Sequence, residues 1–88
     1  GGVITGPNGP QHSQYQPNCV HIKTGQSVTW NSKFSNHPLQ PSGGTTPTPI
    51  TLTNTGTTVT FSFPNAGTFG YHCQVHPGMM FGAVEVTP

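Results

Sequence analysis

Hydrophobic and polar residues alternate with a period of two along much of the chain. Val20 and Ile22 interleave with His21 and Lys23, and Val28 and Trp30 continue the pattern after the turn-forming Thr24-Gly25-Gln26. Val59, Phe61 and Phe63 alternate with Thr60 and Ser62 until Pro64 stops the run. After the turn at Asn65-Ala66-Gly67, Phe69, Tyr71 and Cys73 share one face, and in the segment 82–87 Val84 and Val86 oppose Glu85. Such alternation marks strands with one buried face. Two shorter β-prone pieces, Val3-Ile4-Thr5 and Ile50-Thr51-Leu52, bring the expected strands to about seven. Residues 19–31 read as a β-hairpin and residues 3–5 as an edge strand. The Pro-, Gly-, Ser- and Thr-rich stretch 35–49 predicts a long irregular connection. No segment has a helical period, so the expected fold is an all-β sandwich of two sheets.

Composition narrows this picture. Eighty-eight residues suit a single domain, 1–88, with 1–14 as a turn-rich N-terminal strand and connection. The chain has 12 Gly and 10 Pro, and its charged side chains are Lys23, Lys33 and Glu85. Disorder usually goes with high net charge and few aromatic or β-branched residues, the reverse of what is found. A net charge of +1 with no basic patch argues against nucleic-acid binding. No apolar run approaches the length needed to span a bilayer, and Gly1 opens no signal-peptide pattern. With so few carboxylates, little protonation is available to unfold the chain in acid, which suits an acidic or exposed extracytoplasmic habitat.

The run Tyr71-His72-Cys73-Gln74-Val75-His76-Pro77-Gly78-Met79-Met80, with His37 upstream, gathers a thiol, imidazoles and thioethers. Soft thiolate and thioether donors select copper, and one Cys, two His and a weak axial Met form the donor set of a type 1 blue copper electron-transfer centre. Cys73 and His76 can converge on one ion across a tight loop, with His37 reaching in from the long connection. Of the adjacent methionines, Met80 shares parity with Gly82, Val84 and Val86. Because Glu85 must face solvent, that parity directs Met80 inward and Met79 outward. Other readings exist for each residue alone. A Cys-x-x-His can belong to zinc, although Met is a poor zinc ligand. Cys73 could be an ordinary buried thiol, or could pair with Cys19 in an oxidising compartment, but a metal requires Cys73 as thiolate. The methionines could fill core gaps. Cys19 reads as a structural thiol, and His12 and His21 as surface histidines.

These residues resemble the cupredoxins, especially the small plastocyanin/amicyanin-like type, from Tyr15 onward. Tyr15-Gln16-Pro17 followed by Ile22-Lys23-Thr24-Gly25-Gln26-Ser27-Val28-Thr29-Trp30 is similar to the family's segment before its first ligand. Gly67-Thr68-Phe69-Gly70-Tyr71-His72-Cys73 and Met80-Phe81-Gly82-Ala83-Val84-Glu85-Val86 are similar to its later strands. The resemblance implies a Greek-key sandwich and one copper ion held by His37, Cys73, His76 and Met80. It also implies a monomeric, periplasmic or extracytoplasmic carrier that is not an enzyme. Transient redox proteins would dock near His76, Pro77, Gly78, Met79, Pro38 and Leu39. A copper transport or buffering module is the alternative, and would prefer exposed Met and His ligands. A multicopper oxidase would place a His on each side of the Cys, whereas Gln74 follows Cys73.

Three positions depart from the family pattern. The spacing from His76 to Met80 differs from the usual loops. Pro38 stands where the family often has an Asn whose amide donates to the ligand thiolate, and Pro has no N–H. Val75 stands where Pro often precedes the second His, and its amide can replace the missing donor. Donors to the thiolate favour Cu(I) and raise the potential.

Overall fold

A computed structural model describes residues 2–7, 14–75 and 80–88. Among them seven strands form: β1 (Gly2–Thr5), β2 (Cys19–Lys23), β3 (Ser27–Asn31), β4 (Leu39–Gly44), β5 (Thr58–Ser62), β6 (Gly67–Cys73) and β7 (Phe81–Thr87). One sheet has the order β1-β3-β5 and the other the order β2-β7-β6-β4. No helix occurs among the described residues, and none is available to cross a membrane. The all-β sandwich is the observed architecture.

The period-two pattern explains the two layers. Ile22, Val28, Trp30, Phe69, Tyr71, Val84 and Val86 are buried between the sheets, while Lys23, Thr68 and Glu85 remain exposed. Burying a large apolar side chain contributes about 1.5–3 kcal/mol, so each inward position resists a register slip. At the centre, Tyr71 meets Tyr15 edge-on at 5.0 Å and Trp30 edge-on at 5.3 Å between ring centroids. Gly82, opposite Tyr71 in the register, leaves room for that ring: a Cβ there would collide with the Tyr71 hydroxyl and the Asn18 carbonyl oxygen.

Residues 19–31 are not a hairpin. β2 runs parallel to β7, with Cys19 opposite Ala83 and Lys23 opposite Thr87, whereas β3 pairs with β1 and β5. The intervening turn carries the chain from one sheet to the other. Thr24 N–H donates to the Thr87 carbonyl at 2.9 Å, and Gly25 N–H to the Phe63 carbonyl at 2.8 Å, with Gly25 at φ 87°. The connection expected over 35–49 contains β4, and the strand expected at 50–52 is absent. Ile50 is buried, Leu52 is exposed, and the chain meets β4 through a single bridge between Leu39 and Thr53. Cys19 is exposed on β2 rather than packed as a structural thiol, and no disulfide joins it to Cys73.

Candidate metal centre

Three residues from separate parts of the chain, His37, Cys73 and Met80, are joined at one end of the sandwich, the first two through their side chains and the last through its backbone. His37 lies in the loop between β3 and β4, where the N–H groups of Asn36 and His37 both donate to the Lys33 carbonyl at 3.0 Å. That tight turn includes the buried Phe34. It is tied down on the far side by Leu39 and Thr53, which exchange two backbone hydrogen bonds of 2.9 Å. Cys73 ends β6, on the inward parity of Phe69 and Tyr71. Met80 immediately precedes β7, and its carbonyl accepts the Cys73 N–H at 2.7 Å. The intervening loop is also held by the Gln74 N–H, which donates to the Pro38 carbonyl at 2.8 Å.

His37, Cys73 and Met80 are all 0% exposed. The His37 Nδ1 stands 3.7 Å from the Cys73 Sγ. Two donors at roughly 2.0 and 2.3 Å from a shared ion, 120° apart, lie about 3.7 Å from each other. The separation and the soft donor set therefore suit a trigonal copper site. Met80 is directed into the core, as the parity argument requires. His76, Pro77, Gly78 and Met79 lie outside the described residues. Among the described residues no three His, Cys, Asp or Glu side chains gather around a common point; Met80, buried and joined to Cys73 through its carbonyl, offers a candidate thioether.

His72, next to Cys73, occupies the opposite parity on β6, and its Nε2 stands 3.0 Å from the Gln40 Oε1. Pro38 and Leu39, expected in an exposed docking patch, are buried. Their backbones tie the site's loops down, and Pro38 acts through its carbonyl where it cannot act through an N–H. Gln40 and the Pro38 carbonyl had no visible signal in the sequence, because Gln40 belongs to β4 and Pro38 immediately precedes it, and that strand is disguised by its own proline and glycines.

The surroundings are dry. Tyr15 and Tyr71 are each 1% exposed and Trp30 is fully buried, so their polar atoms are shielded from solvent. Burial pushes both phenols above the usual tyrosine range, reinforced at Tyr15 by the Cys73 charge and at Tyr71 by that of Cys19. Both rings stay neutral beside the thiol. A pocket with this low polarity strengthens ligand electrostatics and excludes water.

A family model of copper-binding proteins, the plastocyanin/azurin family, matches residues 5–87. Among solved structures, a purple cupredoxin from Nitrosopumilus maritimus is 27% identical, with a TM-score of 0.74 over 99% of this chain and 100% of that one. A methionine-to-glutamine mutant of amicyanin with Cu(I) is 25% identical, with a TM-score of 0.70 over 98% of this chain and 82% of that one. A proline-to-alanine mutant of amicyanin in its oxidised state is 26% identical, with a TM-score of 0.69 over 96% and 79%. No curated protein matches the sequence.

Proposed function

The chain belongs to the plastocyanin/azurin family of copper-binding proteins, and from that premise we propose that it carries single electrons between redox proteins outside the cytoplasm, in a periplasm or its equivalent. The observation that carries this reading is the buried pair of Cys73 Sγ and His37 Nδ1 at 3.7 Å, with the buried Met80 bonded to Cys73 through its carbonyl. Copper, when bound, supplies a one-electron Cu(I)/Cu(II) couple. Cys73, His37 and Met80 would hold it, with His76 as the fourth donor. The residues around them limit rearrangement: the Lys33 carbonyl fixes the His37 turn, and the Cys73–Met80 backbone bond fixes the two strand ends. Both oxidation states would then find nearly the same donors in place.

A transport or buffering module releases its metal and needs reachable ligands. Here His37 and Met80 are 0% exposed, which favours the carrier. The reading includes no catalytic step of the protein's own, and docking would occur around the exposed Val75. Val75 is 59% exposed beside the buried thiol. Redox encounters need only brief contacts of small area.

Visible absorption and EPR of the copper-loaded protein test the proposal. One bound Cu(II) should give an intense thiolate-to-copper band that bleaches with a mild reductant and returns on reoxidation. Cys73→Ser should abolish the band. Stoichiometric copper without that band would defeat the carrier reading.

A further inference from the structure

β5 is an edge strand that lacks the features guarding the other edges. β4 contains Pro41 and a register shift between Pro41 and Gly44. β2 carries His21 and Lys23. The outer side of β1 is met by Gln16, whose backbone exchanges two 2.9 Å hydrogen bonds with Thr5. β5, Thr58-Val59-Thr60-Phe61-Ser62, has no charge, no proline and no bulge. Natural sheets use charges, prolines, bulges and covering segments to prevent edge-to-edge pairing.

The backbone of β5 has a definite outward side. Phe63 N–H donates to the Gln26 carbonyl at 2.9 Å and Ser32 N–H to the Thr57 carbonyl at 3.0 Å, at the two ends of the β3–β5 register. Hydrogen-bonded pairs alternate along an antiparallel ladder. The odd-numbered residues therefore bond to β3, and the N–H and C=O groups of Thr58, Thr60 and Ser62 face away from it. Those three side chains are exposed, while Val59 and Phe61, on the core side of the strand, are only partly buried.

We infer that β5 is the pairing edge for a second copy of this chain. Antiparallel pairing about Thr60 is self-complementary: Thr60 meets its own counterpart, and Thr58 meets Ser62 of the other copy on each side. The outward groups are then satisfied as a ladder, and a two-fold axis passes between the Thr60 residues. Val59 and Phe61 of opposite copies become neighbours at non-hydrogen-bonded positions, where side chains approach most closely. Their half-covered apolar surface is completed by the pairing. No like charges oppose it, because the strand has none. The two three-stranded sheets join into one. Thr58 lies opposite Asn31, where the chain leaves towards His37, so the two metal ends point in opposite directions and both stay accessible.

Sedimentation equilibrium from roughly 10 μM to 1 mM, combined with amide exchange, tests the edge. The mass should approach that of a dimer at the upper end. The amides of Thr58, Thr60 and Ser62 should exchange at least about tenfold more slowly there than when dilute. Thr60→Lys places like charges directly opposite at the axis and should weaken association at least about tenfold, with an unchanged far-UV spectrum. Thr60→Val should keep the dimer. A monomer at every concentration, unprotected amides in a dimer, or a dimer indifferent to Thr60→Lys would each overturn the inference.

Discussion

Cys73 and His37 show how two residues far apart in sequence are brought to 3.7 Å by backbone hydrogen bonds that their own side chains do not make. The sequence singled these residues out as candidate donors, because few chemistries place Cys, His and Met in one short run. The parity rule also placed Met80, since β7 continues without a break from Phe81 to Val86 and Glu85 must remain wet. What the side-chain pattern could not show was Pro38, whose carbonyl receives the Gln74 N–H at 2.8 Å. That bond holds the start of the ligand loop, at the residue directly after Cys73, and leaves the amide of Val75 as the next donor along the loop. A charge-assisted hydrogen bond to a thiolate stabilises the electron-rich ligand and weakens its donation to the metal. Val75→Pro should therefore lower the reduction potential by about 60 mV, a tenfold change in a one-electron equilibrium. Cyclic voltammetry of the two proteins measures it. An unchanged potential would show that the Val75 amide does not act on Cys73.

At the level of elements, alternation identified five of the strands because it reports which side chains face the core. It does not report which sheet supplies the other half of that core. Ile22 and Val28 are both buried, yet they belong to different layers, and only the hydrogen bonds of Thr24 and Gly25 to Thr87 and Phe63 reveal the crossover. β4 was hidden for a different reason. Its Pro41 and the positive-φ Gly43 and Gly44 are tolerated at a sheet edge, where no further strand requires their backbone. The pairing of β6 with β7 depends on another glycine. The Tyr71 ring crosses over Gly82 to reach Tyr15 and Trp30, and a methyl group there would strike both the Tyr71 hydroxyl and the rigid Asn18 backbone. Gly82→Ala should destabilise the fold by about 1–3 kcal/mol, the usual cost of overpacking a core. Chemical denaturation should show a lower midpoint at an unchanged slope. Stability equal to the parent would mean that Tyr71 can move without loss.

For the whole molecule, the scarcity of charge governs how it can meet a partner. Lys23 ends β2, and Glu85 sits within β7. Lys33 alone lies in the turn that carries His37, so it is the one fixed charge beside the metal end among the described residues. Steered association draws on summed fields that can raise encounter rates by about 10–10³-fold, and salt removes that gain over a Debye length of about 8–10 Å. One exposed lysine supplies little of it. The rate of electron transfer to an acidic redox partner should thus fall by no more than about twofold between low and physiological ionic strength. Lys33→Gln should remove even that dependence and leave the visible spectrum intact. Stopped-flow kinetics over a salt series would decide the matter. A fall of tenfold or more in the Lys33→Gln protein would show that recognition uses a field that the chain's fixed charges do not provide, and uncharged docking would have to be abandoned.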